Sequence, residues 1–361
     1  MRIAVAHDWM VAYAGSERVV EQLLAEFPDA RLLTSLFQPE VLPPSLRRAE
    51  PSFLQRIPGA NRRHEWLVPL MPLAWRLRGE IGGVDAVVSS SHACAKAVRA
   101  APGVPHVCYC HTPMRYAWRF EDERKRFPAP LVPLVRPGLA WFRRWDRSTA
   151  HRVTQFVANS SYVAGQIRSF YGREALVVHP PVDTDFFTPD GGAAGEEFLY
   201  VGRLISYKRP DVVVDAFASL PYRLSVVGDG HLRRELEERA GSNVRFLGNV
   251  GGEELRTLYR RARALVYPAE EDFGIAMAEA QACGTPVIAL ASGGAVDIVE
   301  PGTTGWLLPQ PTVEAVQVAV QEAASSPLDP AVIRSRAERF SRSEFRAGMR
   351  RIVEDAVAAR R

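Results

Sequence analysis

Short apolar, β-rich runs alternate with longer helical stretches along the whole chain, the pattern of parallel α/β units. In the first half, RIAVA (2–6), DAVVSS (85–90), PHVCYC (105–110), QFVANS (155–160) and ALVVHPP (175–181) predict strands. In the second half, EFLYVG (197–202), YRLSVVG (222–228), VRFLG (244–248), ALVYP (264–268), PVIAL (286–290) and GWLLP (305–309) predict a second set. Between the sets lies PPVDTDFFTPDGGAAGEE (180–197), rich in Pro, Gly and Asp, which reads as an interdomain linker. At the far end Phe345, Met349, Ile352, Val353 and Ala356 recur at spacings of three and four, the mark of a helix with one buried stripe. The fold class is therefore α/β, with two doubly wound Rossmann-like domains whose ligands are expected in the cleft beyond the C-terminal strand ends. The predicted division is 1–182, then 183–343 with a linker at 183–196, then a terminal helix at 344–361.

Composition agrees with this reading. A chain of 361 residues with 47% hydrophobic residues can fill two cores. No apolar run approaches the ~18 residues that span a bilayer, and MRIAVAHDW leads into a strand instead of a signal peptide, so a cytoplasmic location is expected. Cys94, Cys108, Cys110 and Cys283 lack the paired spacing of a zinc site and read as core residues. The net charge of +4 is unevenly spread. Arg62, Arg63, Arg76, Arg78, Arg143, Arg144 and Arg147 crowd the first half beside Trp66, Trp75, Trp141 and Trp145. Such a surface suits either an ordinary solvated face or peripheral contact with the inner face of the cytoplasmic membrane. No nucleic-acid motif accompanies it.

Two segments of the second half carry candidate chemistry. In EEDFGIAMAEAQACGTPV (270–287), Glu271 precedes a strand-to-helix turn and Glu279 lies inside the helix. Glu271 can accept hydrogen bonds from sugar hydroxyls, the amides of Phe273, Gly274 and Ile275 can donate to sugar or phosphate oxygens, and Glu279 can take a vicinal diol. Directly after EFLYVG comes Gly202 and then Arg203 and Lys208, a guanidinium fork and an ammonium point charge that can converge on one diphosphate. Asp183-Thr184-Asp185 has the form of a metal-binding pair but sits in the linker, and Gly228-Asp229-Gly230 lacks the third glycine of a dinucleotide fingerprint. In the first half, His7-Asp8-Trp9 reads as the turn after the first strand, and Gly15 opens a helix whose N-terminus favours an anion. His111 leaves the strand PHVCYC, where a structural or a site role is open.

These segments resemble a known family, the retaining glycosyltransferases with the E-x7-E signature and the two-domain GT-B fold. The segment His111-Thr112-Pro113-Met114-Arg115-Tyr116-Ala117-Trp118 is similar to the H-T-P-x-R-Y-x-W run of bacterial mannosyltransferases that assemble lipopolysaccharide and exopolysaccharide. The resemblance implies retaining transfer of a hexose, with mannose from GDP-mannose as the first expectation and a UDP-sugar as the competitor. It implies that Arg203 and Lys208 neutralise the donor diphosphate with no metal and no cofactor, and that His111 lies beside the donor sugar. Tyr116 and Trp118 are the acceptor candidates, with Arg119 where relatives often carry an acidic residue. The acceptor would be a saccharide or a polyprenyl-diphosphate-linked sugar. The terminal helix would cross back onto the first domain. A UDP-sugar epimerase and a non-catalytic nucleotide-sugar sensor are the readings from other classes.

Overall fold

The computed structural model describes residues 1–119, 132–192 and 195–360, with side chains in the helix Val132–Ala150 described from residue 138 onward. Residues 193 and 194 of the predicted linker and residue 361 of the predicted terminal helix lie outside the described residues. The chain divides into two compact units, Met1–Pro181 with Ser343–Arg361, and Val182–Arg342.

The first unit is a parallel sheet of β1 (Ile3–Met10), β2 (Arg31–Phe37), β3 (Ala86–Ser91), β4 (His106–Cys110), β5 (Gln155–Ala158) and β6 (Ala175–Val177), in the order β2-β1-β3-β4-β5-β6. Strand alternation divides its core between the two sheet faces. Ile3 and Val5 pack with Leu23, Leu32 and Val88 on one face, and Ala4 and Ala6 pack with Met71, Trp75 and Val87 on the other. On β4, Val107 and Tyr109 join the first face, while Cys108 and Cys110 face Phe156 and Ile167. All four cysteines are buried free thiols. Burial pushes the Cys108 and Cys283 thiols up to about 12, which keeps both protonated at neutral pH.

One expectation about this unit needs correction, and one strand went unpredicted. His7-Asp8-Trp9 is not a turn: β1 runs through Met10, and His7 pairs in register with Ser90 of β3. Strand β2 escaped the pattern reading because the Leu32, Leu33, Leu36 and Phe37 spacing of RLLTSLF fits a helix face as well as a strand. Parallel pairing with β1 and burial from both sides decide it.

The second unit holds β7 (Glu197–Val201), β8 (Leu224–Val227), β9 (Val244–Gly248), β10 (Ala262–Tyr267), β11 (Val287–Leu290) and β12 (Gly305–Leu308), all parallel, in the order β9-β8-β7-β10-β11-β12. Each unit reverses its strand order once, between β1 and β3 and between β7 and β10. In such sheets the loops at the C-terminal ends of the two reversing strands diverge and leave a crevice. Asp183 in the linker accepts from the Phe186 N–H at 3.3 Å and pairs with Arg342 at 2.9 Å, so its carboxylate closes a turn. Among the described residues no helix is long and apolar enough to cross a membrane.

The helix Arg342–Ala358 buries Phe345, Met349, Ile352 and Val353 in the core of the first unit, with the Phe345 ring edge-on to Tyr109 at 5.5 Å. Arg350 pairs with Glu26 on the same face. Removing the Phe345 ring leaves a cavity the sheet cannot collapse into, so Phe345→Ala should cost roughly 3–5 kcal/mol. In denaturant, the transition of the first unit should move to lower concentration while that of the second stays in place. An unshifted first transition would show that the helix is not part of that core.

Candidate functional site

At the strand-order reversal of the second unit, the loops after β7 and β10 bring a lysine, a tyrosine and a glutamate together. The Lys208 ammonium donates to Glu271 Oε1 at 2.7 Å and to the Tyr267 hydroxyl at 2.7 Å. Tyr267 donates to the same Glu271 oxygen at 2.6 Å. The Lys208 and Glu271 side chains are each 15% exposed, so the pair is partly shielded and still open to a ligand. Tyr267 stacks on Tyr200, and the Tyr200 hydroxyl donates to the Lys208 carbonyl at 3.3 Å, holding the loop that carries the lysine. Burial and the Glu271 charge push the Tyr267 phenol well above its ordinary range, so it remains a donor. Arg203 is exposed, and its guanidinium donates to the Tyr207 hydroxyl at 2.8 Å. Arg203 and Lys208 thus occupy one loop but have separate partners.

The loops are shaped by close backbone approach. Gly274 is the N-cap of the helix Ile275–Ala282 at φ +103°, a left-handed conformation that suits glycine. Beneath it, the Gly294 N–H donates to the Glu271 carbonyl at 2.8 Å, and a Cβ on Gly293 or Gly294 would collide with the backbone of Glu271 or Phe273. The Ser292 hydroxyl donates to Glu270 at 2.6 Å. In the turn 228–230 a Cβ on either glycine would strike the carbonyl of Gly202 or Leu204, so these glycines serve loop packing. Phe273 is buried against Phe340 at 5.5 Å. Glu279 is 5% exposed and accepts from the Tyr259 hydroxyl at 3.3 Å, so a diol would share the carboxylate with a buried partner.

The reversal in the first unit gathers a different set. Asp8, buried on β1, accepts the backbone N–H groups of His92, Ala93, Cys94 and Ala95 at 2.5–2.8 Å. Burial alone would raise its carboxyl, but the nearby His92 and His7 and the amides outweigh that and hold it below the ordinary value. His7 Nδ1 lies 3.0 Å from the Ser90 carbonyl and 3.1 Å from the Ser90 hydroxyl, which is 2.7 Å from His111 Nε2. His7 Nε2 faces Glu17 at 3.7 Å. Burial, with His92 and His7 alongside, keeps His111 well below the usual histidine value, so it is neutral. Gly15 opens the helix Gly15–Glu26, where Glu17 accepts from the Ala14 N–H at 3.0 Å and from the Ser16 hydroxyl at 3.0 Å. The helix N-terminus expected to attract an anion therefore already holds a carboxylate.

Trp118 donates its indole N–H to buried Asp146 at 2.7 Å, as does the Tyr171 hydroxyl at 2.7 Å, and Asp146 also pairs with buried Lys96. The Trp118 ring stacks on Phe170 at 4.7 Å. Tyr116 is half-buried beside the same core. Sequence reading missed Ser90, Glu17, His92, Tyr267 and the Ser292-Gly293-Gly294 loop. The available signals were that Tyr267 ends a predicted strand and that the glycine pair follows another.

Residues 190–340 match the family described as Glycosyl transferases group 1, and residues 13–186 match Glycosyltransferase Family 4. Over 98% of this chain and 99% of the other, the structure is similar to Anabaena Alr3699/HepE solved in complex with UDP and glucose, with TM-score 0.72 and 18% identity. The chain has the GT-B fold. A second GT-B likeness, to sucrose-phosphate synthase from Thermosynechococcus elongatus, has TM-score 0.71 and 19% identity over 99% of this chain and 100% of that one. In sequence, the chain is 34% identical over 188 residues to a D-inositol 3-phosphate glycosyltransferase from Mycobacterium bovis, a match covering 45% of this chain and 39% of that protein. The chain thus spans about two fifths of the curated relatives' length.

The Asp8 cap yields a prediction in this fold. Asp8→Asn turns an amide NH2 toward backbone donors and should cost about 2–3 kcal/mol at neutral pH, because hydrogen bonds to a charged group are lost. A carboxyl depressed by folding stabilises above its unfolded value and loses that contribution as pH falls through the folded value. The wild-type advantage in urea unfolding should hold down to about pH 5 and shrink in more acid solution. An advantage independent of pH would assign the effect to packing.

Proposed function

We propose that this chain is a glycosyltransferase that moves a hexosyl group from a nucleotide sugar to a saccharide acceptor with retention of configuration. The observation that carries this reading is the Lys208, Tyr267 and Glu271 constellation at a strand-order reversal, on loops inside the segment that matches Glycosyl transferases group 1. Arg203 and Lys208 supply cationic hydrogen bonds to the donor diphosphate, so the reaction needs no metal. Glu271, with Lys208 as counter-charge, accepts sugar hydroxyls, and the amides of Gly274 and Ile275 add donors at the helix start. Transfer is a front-face step: the bond from the anomeric carbon to the phosphate oxygen breaks as the acceptor oxygen bonds that carbon. The acceptor's proton passes to the departing phosphate. Catalysis then lies in stabilising the leaving diphosphate and positioning the sugar, and the resemblance of residues 111–118 supports a sugar contact for His111. The E-x7-E pairing of Glu271 with Glu279 belongs to this reading, in which the Glu279 carboxylate takes the ribose hydroxyls beside its bond from Tyr259.

The donor in this reading is GDP-mannose, supported by the resemblance of residues 111–118 to mannosyltransferases. A UDP-sugar is the second reading, favoured by the UDP and glucose in the similar Alr3699/HepE structure. A thermal-shift panel of GDP-, UDP- and ADP-sugars separates them, because the ligand that binds the folded state raises the melting temperature. Arg203→Ala and Lys208→Ala should each weaken nucleoside diphosphate binding about ten- to a hundredfold, corresponding to 1.5–3 kcal/mol for a charge-assisted hydrogen bond. Glu271→Gln should lower turnover with nucleotide affinity unchanged, and EDTA should leave turnover as it is. Strict dependence on Mg²⁺ or Mn²⁺ would reject the metal-independent step.

The acceptor in this reading is polyprenyl-diphosphate-linked, met at a membrane surface. Only part of the arginine and tryptophan set supports such a surface. Trp75 is buried, and Arg78 donates to the carbonyls of Thr34 and Glu50, because both belong to the packing of the first unit. Trp66 is 81% exposed and Leu77 65% exposed, and with exposed Leu70 and Leu73 they recur at spacings of four, three and four along the segments Ala60–Leu70 and Met71–Leu77, beside exposed Arg62, Arg63 and Arg76. Apolar residues edged by arginines fit an anionic headgroup boundary. Co-sedimentation with anionic phospholipid vesicles should fall sharply for the pair Trp66→Ser and Leu77→Ser, with little binding to neutral vesicles. Equal binding by variant and parent would remove this surface from the proposal.

A further inference from the structure

His111 sits at the end of a hydrogen-bonded series that runs from His7 through Ser90 and decides which of its ring nitrogens carries a proton. The Ser90 carbonyl can only accept, so His7 Nδ1, 3.0 Å away, must be protonated whatever the charge on the ring. The same N–H is shared with the Ser90 hydroxyl oxygen at 3.1 Å, which therefore acts as acceptor toward His7. Its own hydrogen must go elsewhere, and among the described residues the remaining partner of that hydroxyl is His111 Nε2 at 2.7 Å. His111 Nε2 is thus an acceptor, and a neutral His111 bears its proton on Nδ1. Burial and the neighbouring His92 and His7 favour the neutral ring, which agrees with this assignment.

The series is fixed by the fold. His7 and Ser90 are register partners on β1 and β3, and the His111 N–H donates to the Ser91 carbonyl at 2.9 Å, placing His111 one residue beyond β4. Glu17 faces the far nitrogen of His7 at 3.7 Å and is held at the helix start by Ala14 and Ser16. His7 and Ser90 are both fully buried, so water cannot replace a missing partner without entering the core.

We infer that His7 and Ser90 are positioning residues that lock His111 in the Nδ1–H tautomer, so that His111 offers a hydrogen-bond donor to the transferred sugar or leaving group and does not serve as a base. The functional half of this inference rests on the glycosyltransferase reading above, whereas the tautomer does not. In a chain labelled with ¹⁵N, the His111 ring, assigned by its absence in His111→Gln, should show a neutral imidazole protonated at Nδ1. Ser90→Ala should convert the signal toward Nε2–H, and Ser90→Thr, which keeps the hydroxyl, should restore the original pattern. With a donor found in the thermal-shift panel, Ser90→Ala should lower transfer turnover tenfold or more with nucleoside diphosphate affinity unchanged, and Ser90→Thr should recover it. An Nε2–H signal in the parent chain, or an Nδ1–H signal that persists in Ser90→Ala, would overturn the lock even if transfer is observed. An intact lock in a chain that transfers no sugar would sink the functional reading alone.

Discussion

A parallel sheet that reverses its strand order must send two adjacent loops apart, and each unit of this chain places its charged groups where that happens. Between β7 and β10 the loops that follow carry Lys208 and Glu271, residues 63 positions apart in sequence and hydrogen-bonded at 2.7 Å. Between β1 and β3 the same constraint sets Asp8 under the turn 92–95 and His7 beside Ser90. Neither group could be brought together by local structure alone. Strand pairing supplies the register, and the buried sheet supplies the rigidity that keeps polar atoms within hydrogen-bond distance.

The two reversals handle charge differently. In the second unit Lys208 and Glu271 remain partly open, so an anionic ligand can give the lysine a third partner without stranding a buried charge. In the first unit the Asp8 charge is enclosed and bonded by backbone amides, and His7 and Ser90 bear on His111 from within the core. Buried polar networks restrict the arrangement because alternatives leave more polar atoms unpaired. The Asp146 network does the same for packing: by engaging Trp118, Tyr171 and Lys96 it fixes the segment that follows His111.

Glycines complete both loops of the second unit for a steric reason. Turn 228–230 presses on the backbone of 202–204, and the Gly293-Gly294 pair presses on 271–273, so the candidate ligand loops are shaped from behind by backbone contact. The Gly-Asp-Gly turn has the look of a nucleotide fingerprint in sequence. In the fold its glycines answer to neighbouring carbonyls.

Hydrophobic periodicity alone determined the parallel α/β class, eleven of the twelve strands of the two six-stranded sheets and the buried stripe of the terminal helix, because period-2 and period-3.6 patterns are local properties of the chain. It left out β2, whose leucine spacing is ambiguous until a neighbour pairs with it, and it ended β1 too early because His7 and Asp8 are polar residues inside a buried strand. Motif spacing brought out Lys208, Glu271 and His111 as candidates. It could not show that Lys208 pairs with Glu271, that Glu279 is buried on Tyr259, that Glu17 already caps the helix at Gly15, or that Ser90 faces His111. Those outcomes depend on which strands are neighbours and in what register, and strand order is a long-range property that only the tertiary structure decides.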